Sequence, residues 1–178
     1  MLEKYALYKI VLAFRNTTKA ESVRSIAKAA HVGTATAKQW CDYLFEGDII
    51  KREIIGRMYQ YQINSENMLA RQIKIALSVS EVLPVVEELK TYPEIMTILL
   101  YGSSASGKDT ATSDIDLLII TAKPIKIRSL HTERKLSREI SVSSYTHMEW
   151  KKKTLSNRAF YESIIYDSIP LYGERPVV

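Results

Sequence analysis

The chain has 178 residues, room for one medium domain or two small ones, and its 46% hydrophobic and 25% charged content is typical of a folded, soluble protein. Its net charge of +5 is uneven, because residues 1–65 carry ten Lys or Arg against six Asp or Glu, whereas residues 66–178 carry fifteen against fourteen. This excess predicts a polyanionic partner for the N-terminal third, while a single cysteine excludes an internal disulfide and favours a cytoplasmic protein.

The N-terminal third has the pattern of three helices followed by a β-hairpin. Apolar residues recur at three- and four-residue spacing in the helical segments and alternate in the two strands. Ser22 is placed to cap the second helix, Gly47 to end the third and Gly56 to turn the hairpin. Cys41 lies on the apolar stripe of the third helix, which predicts a buried side chain rather than a nucleophile. The predicted helices cover residues 2–14, 23–29 and 34–46, and the predicted strands cover residues 49–55 and 57–63.

The segment from Ser25 to Trp40 resembles the helix-turn-helix of prokaryotic winged-helix regulators, which implies a winged helix-turn-helix DNA-binding domain over residues 1–65. In that fold the third helix reads base edges in the major groove, and the hairpin contacts phosphates or the minor groove of duplex DNA. The implied DNA-binding residues are Thr34, Thr36, Lys38 and Gln39 on the helix, and Lys51, Arg52 and Arg57 on the hairpin. The alternative is that this domain serves dimerisation or protein docking.

A connecting helix is predicted over residues 66–79. The segment from Asn64 to Glu66 has the character of a helix start, and apolar residues follow it at helical spacing. Pro84 favours the first turn of a separate helix that begins near Ser80. A connector this apolar is expected to pack against a partner, so we predict a homodimer.

The most informative segment runs from Leu100 to Ile120. An apolar strand ends in Gly102-Ser103, a short polar loop follows, and a second apolar strand begins with Asp114-Ile115-Asp116. Residues two apart in a strand point to one face, so the two carboxylates converge and suit a hard cation such as Mg²⁺ or Mn²⁺ bound together with substrate phosphates. Gly102 lets backbone approach a phosphate, and Ser103 would begin a helix whose free N–H groups attract anions.

This pattern resembles the polymerase β-type nucleotidyltransferase superfamily, in particular its minimal nucleotidyltransferase branch. The family motif is Gly-Ser, a loop of about ten residues, and then an acidic–apolar–acidic strand; here ten residues separate Ser103 from Asp114. The resemblance covers about residues 80–174 and implies transfer of a nucleoside monophosphate from an NTP and its Mg²⁺. It implies a metal held by Asp114 and Asp116, and nucleotide contacts from Gly102, Ser103, Lys108 and Ser113.

The chain departs from the family pattern at the third catalytic carboxylate, which is not clearly present. Our alignment places Ser141 at that position, on a strand predicted over residues 139–145. Glu139 lies two residues earlier, hence on the same face, and is the candidate replacement for the third acid. The loop also has Ala105-Ser106-Gly107 where many relatives carry an Arg before the glycine, so Lys108 is the candidate cation there.

Together these patterns predict an α/β (α+β) protein: a winged helix at 1–65, a connecting helix at 66–79, and a nucleotidyltransferase-like domain with a mixed sheet at 80–178. The longest uncharged apolar segments have strand length, so no membrane span is expected. The favoured function is DNA-linked nucleotidyl transfer by a cytoplasmic protein to an acceptor hydroxyl. Relatives that act as antitoxins make a toxin-like partner protein a candidate acceptor.

Two other functions remain open at this stage. One is a non-enzymatic transcription regulator whose second domain only senses a nucleotide, an alternative supported by the missing third carboxylate. The other is an antitoxin that acts only by protein docking, which would need neither metal nor DNA. The sequence leaves the acceptor, the preferred NTP and the operator sequence unspecified.

Overall fold

The computed structural model of the protein describes residues 4–15, 17, 19–127, 136 and 138–178. The chain divides into two compact units, one up to Lys74 and one from Ile75 onward. Across the described ranges no helix combines the length and the hydropathy that a membrane span requires.

Within its described residues the first unit contains three complete helices, the start of a fourth, and a small antiparallel sheet of strand order β1-β3-β2. The predicted helices and hairpin are present, with bounds that differ by a few residues, and residues 2 and 3 of the first predicted helix lie outside the described residues. The two-residue strand β1 was not predicted, because so short a strand shows no alternation of apolar and polar residues. The elements are α1 (Ala6–Arg15), β1 (Glu21–Ser22), α2 (Val23–Ala30), α3 (Thr34–Glu46), β2 (Ile50–Ile55) and β3 (Met58–Ile63).

Local signals in the sequence explain where these elements begin and end. The Ser22 hydroxyl accepts a hydrogen bond from the Ser25 N–H at 3.2 Å and thereby caps α2. Gly56 turns the hairpin with a φ of +64°, a conformation that costs glycine little. Cys41 is fully buried, and this burial raises the pKa of its thiol to about 12. The thiol is therefore a packed core group, as predicted, and not a nucleophile.

The helix α4 (Met68–Leu89) runs without interruption through Pro84, so the prediction of a break near residue 80 was wrong. A proline inside a helix costs about 3 kcal/mol. This cost is offset by the apolar face around it, since Val82, Val85, Val86 and Leu89 are all buried in the core of the second unit. Each such side chain contributes about 1.5–3 kcal/mol on burial, so packing overrides the local preference.

The second unit is built on a four-stranded sheet of order β6-β5-β4-β7. Strand β4 pairs antiparallel with β5 and β7, whereas β5 and β6 are parallel, which confirms the predicted mixed sheet. The elements are β4 (Ile95–Tyr101), α5 (Gly102–Ser106), β5 (Ile115–Thr121), β6 (Ile140–Thr146), α6 (His147–Ser156), α7 (Arg158–Asp167) and β7 (Ile169–Tyr172).

The two faces of this sheet bury different helices. One face packs against the apolar side chains of α4. On the other face, Leu99 and Leu118 form a cluster with Trp150 of α6 and Ile164 of α7. Because side chains alternate along a strand, Asp116 shares this second face with Leu118 and projects beyond the end of the cluster.

Candidate functional site

The site is built where β4 ends and α5 begins. Tyr101, the last residue of β4, pairs with Asp116 of β5, and the next residue, Gly102, has a φ of +71°. A Cβ placed on Gly102 would lie only 2.5 Å from Oδ2 of Asp116. Glycine is favoured here by its backbone angle, and any other residue would also displace the Asp116 carboxylate from its observed position.

The two predicted metal ligands lie together at the start of β5. Asp114 is exposed just before the strand, and Asp116 is partly buried within it. Burial raises the pKa of Asp116 above its ordinary value, and the negative charge of Asp114 raises it further. Carboxylates crowded in this way are stabilised by a divalent cation, so the donor set fits Mg²⁺ bound by one or two carboxylates and substrate phosphates.

Hydrogen bonds hold the loop between α5 and β5 in a compact shape. The Lys108 N–H donates to the Ser103 carbonyl at 3.0 Å, and Gly107 has a φ of +68° at the end of α5. The Ser113 hydroxyl accepts a hydrogen bond from the Thr110 N–H at 2.9 Å. Of the predicted nucleotide ligands, Ser113 thus supports the loop itself, while the Lys108 side chain is exposed.

The parallel register of β5 and β6 determines what lies beside the acidic pair. Ser141 is the direct partner of Asp116, and the carbonyl of Glu139 accepts a hydrogen bond from the Ile115 N–H at 2.9 Å. Glu139 is exposed and immediately precedes β6. Among the residues with described positions, no three His, Cys, Asp or Glu side chains come close enough to hold a metal together. The role of Glu139 as the third acid stays a prediction.

Tyr101 is a site residue that the sequence reasoning missed. Its hydroxyl lies 3.3 Å from the Ser143 hydroxyl, and its ring meets that of Phe160 edge-on at 5.9 Å. Burial raises the pKa of Tyr101, the hydrogen bond with Ser143 opposes this, and the charge of Asp116 adds to the rise. Side chains two residues apart in a strand share a face, so Ser141 and Ser143 of β6 both lie on the face of Asp116. This alternation in the sequence of β6 could have predicted the row of hydroxyls.

A buried arginine behind the loop was also missed. Arg138 is 7% exposed and lies within hydrogen-bond distance of side chains on α4, on α5 and in the loop. Its partners are 29 to 60 residues away in the sequence, so no local pattern pointed to them.

The predicted DNA-binding residues form two groups in the first unit, one on α3 and one on the hairpin. Three of the cations have intramolecular partners: Lys38 pairs with Asp42 at 2.5 Å, Lys51 pairs with Glu66 at 2.5 Å, and the Arg52 guanidinium lies 4.0 Å from the centre of the Phe45 ring. Both ion pairs are solvent-exposed. The exposed members of the set are Thr34, Lys38, Gln39, Lys51, Arg52 and Arg57, and Thr36 is partly buried.

Comparison with known proteins finds one match to a family model. Residues 84–175, just over half of the chain, match the family described as polymerase beta, nucleotidyltransferase. The matched range contains β4, α5, β5 and β6, and hence both aspartates and the loop between them. No curated protein sequence matches the chain.

Crowding at the acidic pair predicts that Asp116→Asn stabilises the metal-free protein near neutral pH. The folded-state pKa of Asp116 is raised, so its contribution to stability is fully present below the unfolded-state pKa and is lost as pH rises through the folded-state pKa. We expect the melting temperature of the variant to exceed that of the wild type by about 1–2 °C at pH 7, since the group is only partly buried.

Thermal unfolding measured between pH 3.5 and pH 8 without divalent metal checks this expectation. The difference between variant and wild type should narrow as pH falls toward the unfolded-state pKa of about 4, because Asp116 becomes protonated in both states. Asp114→Asn serves as the control, with a smaller gain because Asp114 is exposed. A difference that stays constant over the whole range would contradict the electrostatic cause.

Proposed function

Because this chain belongs to the polymerase beta nucleotidyltransferase family, we propose that it transfers a nucleoside monophosphate from an NTP and its Mg²⁺ to an acceptor hydroxyl. The observation that carries the proposal is the approach of the Gly102 backbone to the Asp116 carboxylate, with Asp114 beside it. A phosphate chain against the glycine would share its cation with both carboxylates. Triphosphate binding requires a backbone that phosphates can approach and carboxylates that bind their cation, and both lie at this point.

Each residue at this point has a proposed role. Asp114 and Asp116 hold Mg²⁺ or Mn²⁺, and backbone at Gly102 and Ser103 accommodates the triphosphate. The cation, when bound, neutralises phosphate charge and orients the leaving group. Lys108, exposed at the rim of the loop, adds a positive charge toward the phosphates. The Thr110 N–H donates a hydrogen bond to the Ser113 hydroxyl. This bond helps to hold the loop that carries Lys108 in one position next to β5.

The proposed reaction is an in-line displacement at the α-phosphorus. The acceptor oxygen forms a bond to phosphorus while the bond to the pyrophosphate oxygen breaks, and the hydroxyl proton passes to a base. Glu139, immediately before β6, is the proposed base, because it lies two residues before Ser141, the strand partner of Asp116. Its exposure at the sheet edge is compatible with contact to a large acceptor.

A second candidate function is a nucleotide sensor without turnover. It is favoured by one specific observation, namely that a serine, Ser141, is the strand partner of Asp116 where a third carboxylate would serve catalysis. A site with two carboxylates binds a metal–nucleotide complex but lacks a group to accept the proton. The two functions differ in whether a nucleotide is ever transferred.

For the first unit we propose a winged helix-turn-helix that binds duplex DNA and links the protein to transcription regulation in the cytoplasm. The order of elements, three helices and a two-stranded hairpin that pairs with a short β1, supports this fold. The exposed side chains at the start of α3 and on the hairpin support the mode of docking. We propose 1–65 as the DNA-binding domain, 66–79 as the part of the continuous helix α4 and its start that connects it to the second domain at 80–178, and a homodimer as the functional form of the protein.

An apolar hairpin tip supports a protein partner as well. Ile54, Ile55, Met58 and Tyr59 are between 49% and 68% exposed on β2 and β3. Exposed apolar residues clustered in this way are typical of docking surfaces. A toxin-like protein that presents its own hydroxyl is therefore a proposed acceptor for the nucleotide.

The metal site is tested by Asp114→Asn combined with Asp116→Asn. Loss of both charges should weaken Mg²⁺-dependent binding of ATP or GTP by at least about 100-fold, since even substitution of a residue that only orients a metal ligand costs about 10- to 100-fold. Calorimetric titration with and without Mg²⁺ measures the effect. Asp167→Asn, which removes one charge from an exposed position at the end of α7, is the control and should bind normally. Unchanged affinity in the double variant would refute the assignment.

Turnover is tested by Glu139→Gln. If Glu139 is the base, the variant should bind Mg·NTP normally and transfer nucleotide about 10²–10⁴ times more slowly, because the group acts mainly in the transition state. Mass analysis of the protein and of candidate acceptors detects the added nucleotide. Glu174→Gln, the same change at an exposed position after β7, is the matched control and should retain transfer. Binding without transfer by the wild type would identify the sensor instead.

DNA binding is tested by Lys51→Ala combined with Arg57→Ala. We expect weaker binding to all duplex sequences and a salt dependence reduced by about two ions, because each phosphate contact releases about one counterion. Gln39→Ala should mainly relax sequence choice. The control, Lys151→Ala with Lys152→Ala, removes the same charge from α6 and should leave affinity unchanged. Absence of duplex binding by the wild type at low salt would favour protein docking.

A further inference from the structure

The buried guanidinium of Arg138 joins the loop of the proposed nucleotide site to the helix behind it. Nη1 donates to Oδ2 of Asp109 at 2.9 Å and to the Ser104 hydroxyl at 3.3 Å, while Nη2 donates to Oε2 of Glu81 at 3.0 Å and to the Ser78 hydroxyl at 3.3 Å. One nitrogen thus contacts the loop and α5, and the other contacts α4. Ser78 and Glu81 are three residues apart and so lie on one face of α4.

The burial of this group makes its geometry fixed rather than adjustable. The side chain of Arg138 is 2% exposed, and that of Asp109 is fully buried. A buried ion pair with additional hydrogen bonds has one satisfactory arrangement, whereas exposed pairs exchange with water at little cost. Asp109, and the loop that carries it, is therefore held at one position relative to α4.

The held segment carries the proposed phosphate contacts at its start, Gly102 and Ser103, and one of the proposed metal ligands, Asp114, at its end. Ser104 lies two residues after Gly102, and its hydroxyl donates to the Asp114 carbonyl at 3.5 Å. Arg138 also lies two residues before Ile140, where β6 pairs with β5. Its fork contacts the segment from Gly102 to Asp114 near its start, at Ser104, and in its middle, at Asp109, and the Ser104 hydroxyl links it to the end at Asp114.

We propose that Arg138 is a positioning residue that fixes the loop from Gly102 to Asp114 in the geometry needed to bind a nucleoside triphosphate. This inference rests on the proposed nucleotide site and names a residue outside its metal and phosphate contacts. Only arginine supplies two nitrogens in a rigid plane, so lysine at this position cannot contact Asp109 and Glu81 in the same way.

The variant Arg138→Lys distinguishes a role in positioning the loop from a role in the stability of the whole second unit. We expect its Kd for Mg·ATP and Mg·GTP to rise at least tenfold, and amide hydrogen exchange at Lys108 and Thr110 to become at least tenfold faster. These two amides donate hydrogen bonds within the loop, so their exchange reports its closure. Asp109→Asn, which keeps size and removes the charge on the loop side, provides a milder second variant with the same expected pattern.

The control is Ile164→Ala, which removes a fully buried side chain from α7 and destabilises the same unit. It should lower the melting temperature without changing the exchange of Lys108 and Thr110 or the nucleotide Kd. Unchanged loop exchange in both Arg138→Lys and Asp109→Asn would overturn the proposal, as would faster loop exchange with an unchanged Kd. If the wild type binds no Mg·NTP, the proposed function fails, and faster loop exchange in the two variants still supports Arg138 as the residue that fixes the loop.

Discussion

The second unit depends on one close approach, that of the Gly102 backbone to the carboxylate of Asp116. It is set by the antiparallel register in which Tyr101 faces Asp116, and that register is fixed by apolar side chains on both faces of β4 and β5. A slip of one residue would move Asp116 to the face that packs against α4 and leave a charge in an apolar layer. The same strand register therefore both buries the apolar core and places the Asp116 carboxylate at the site.

The same sheet places other side chains beside the acidic pair, and the chemistry of the site depends on them as well. Strand β6 adds in parallel to β5 and presents Ser141 beside Asp116, with Ser143 next along the same face. The site is thus a pair of carboxylates bordered by hydroxyls. Hydroxyls can orient a substrate, but at neutral pH they do not accept its proton unless a base activates them. The proposed catalysis therefore needs a base besides these hydroxyls, and Glu139, exposed immediately before β6, is the proposed one.

Much of this architecture could be predicted from sequence because its signals are local. The helix at 34–46, the hairpin around Gly56 and the Gly-Ser to Asp-Ile-Asp spacing are each contained within about twenty residues. The errors arose where distant contacts override local preference. Pro84 was expected to begin a helix, yet α4 continues through it because its apolar face is buried against the sheet.

The Arg138 cluster shows the same limit at the site itself. Its partners come from α4, from α5 and from the loop, and only the fold brings them together. In the sequence, Arg138 is one basic residue among 25, and Asp109 is one polar residue in a polar loop. Nothing in their spacing distinguishes them from solvated charges, because burial is a property of the folded chain.

Burial also distinguishes two uses of positive charge in this protein. Lys38 and Lys51 hold Asp42 and Glu66 at the surface, where ion pairs contribute little and water competes for both partners. A polyanion can replace those carboxylates at low cost, so the internal pairs do not oppose the proposed DNA contacts. Arg138 is enclosed, and removing Asp109 or Glu81 takes away one of the two carboxylates that compensate its buried charge. Exposed cations are thus free to change partners and serve binding, whereas the enclosed one keeps its partners and determines the shape of the loop.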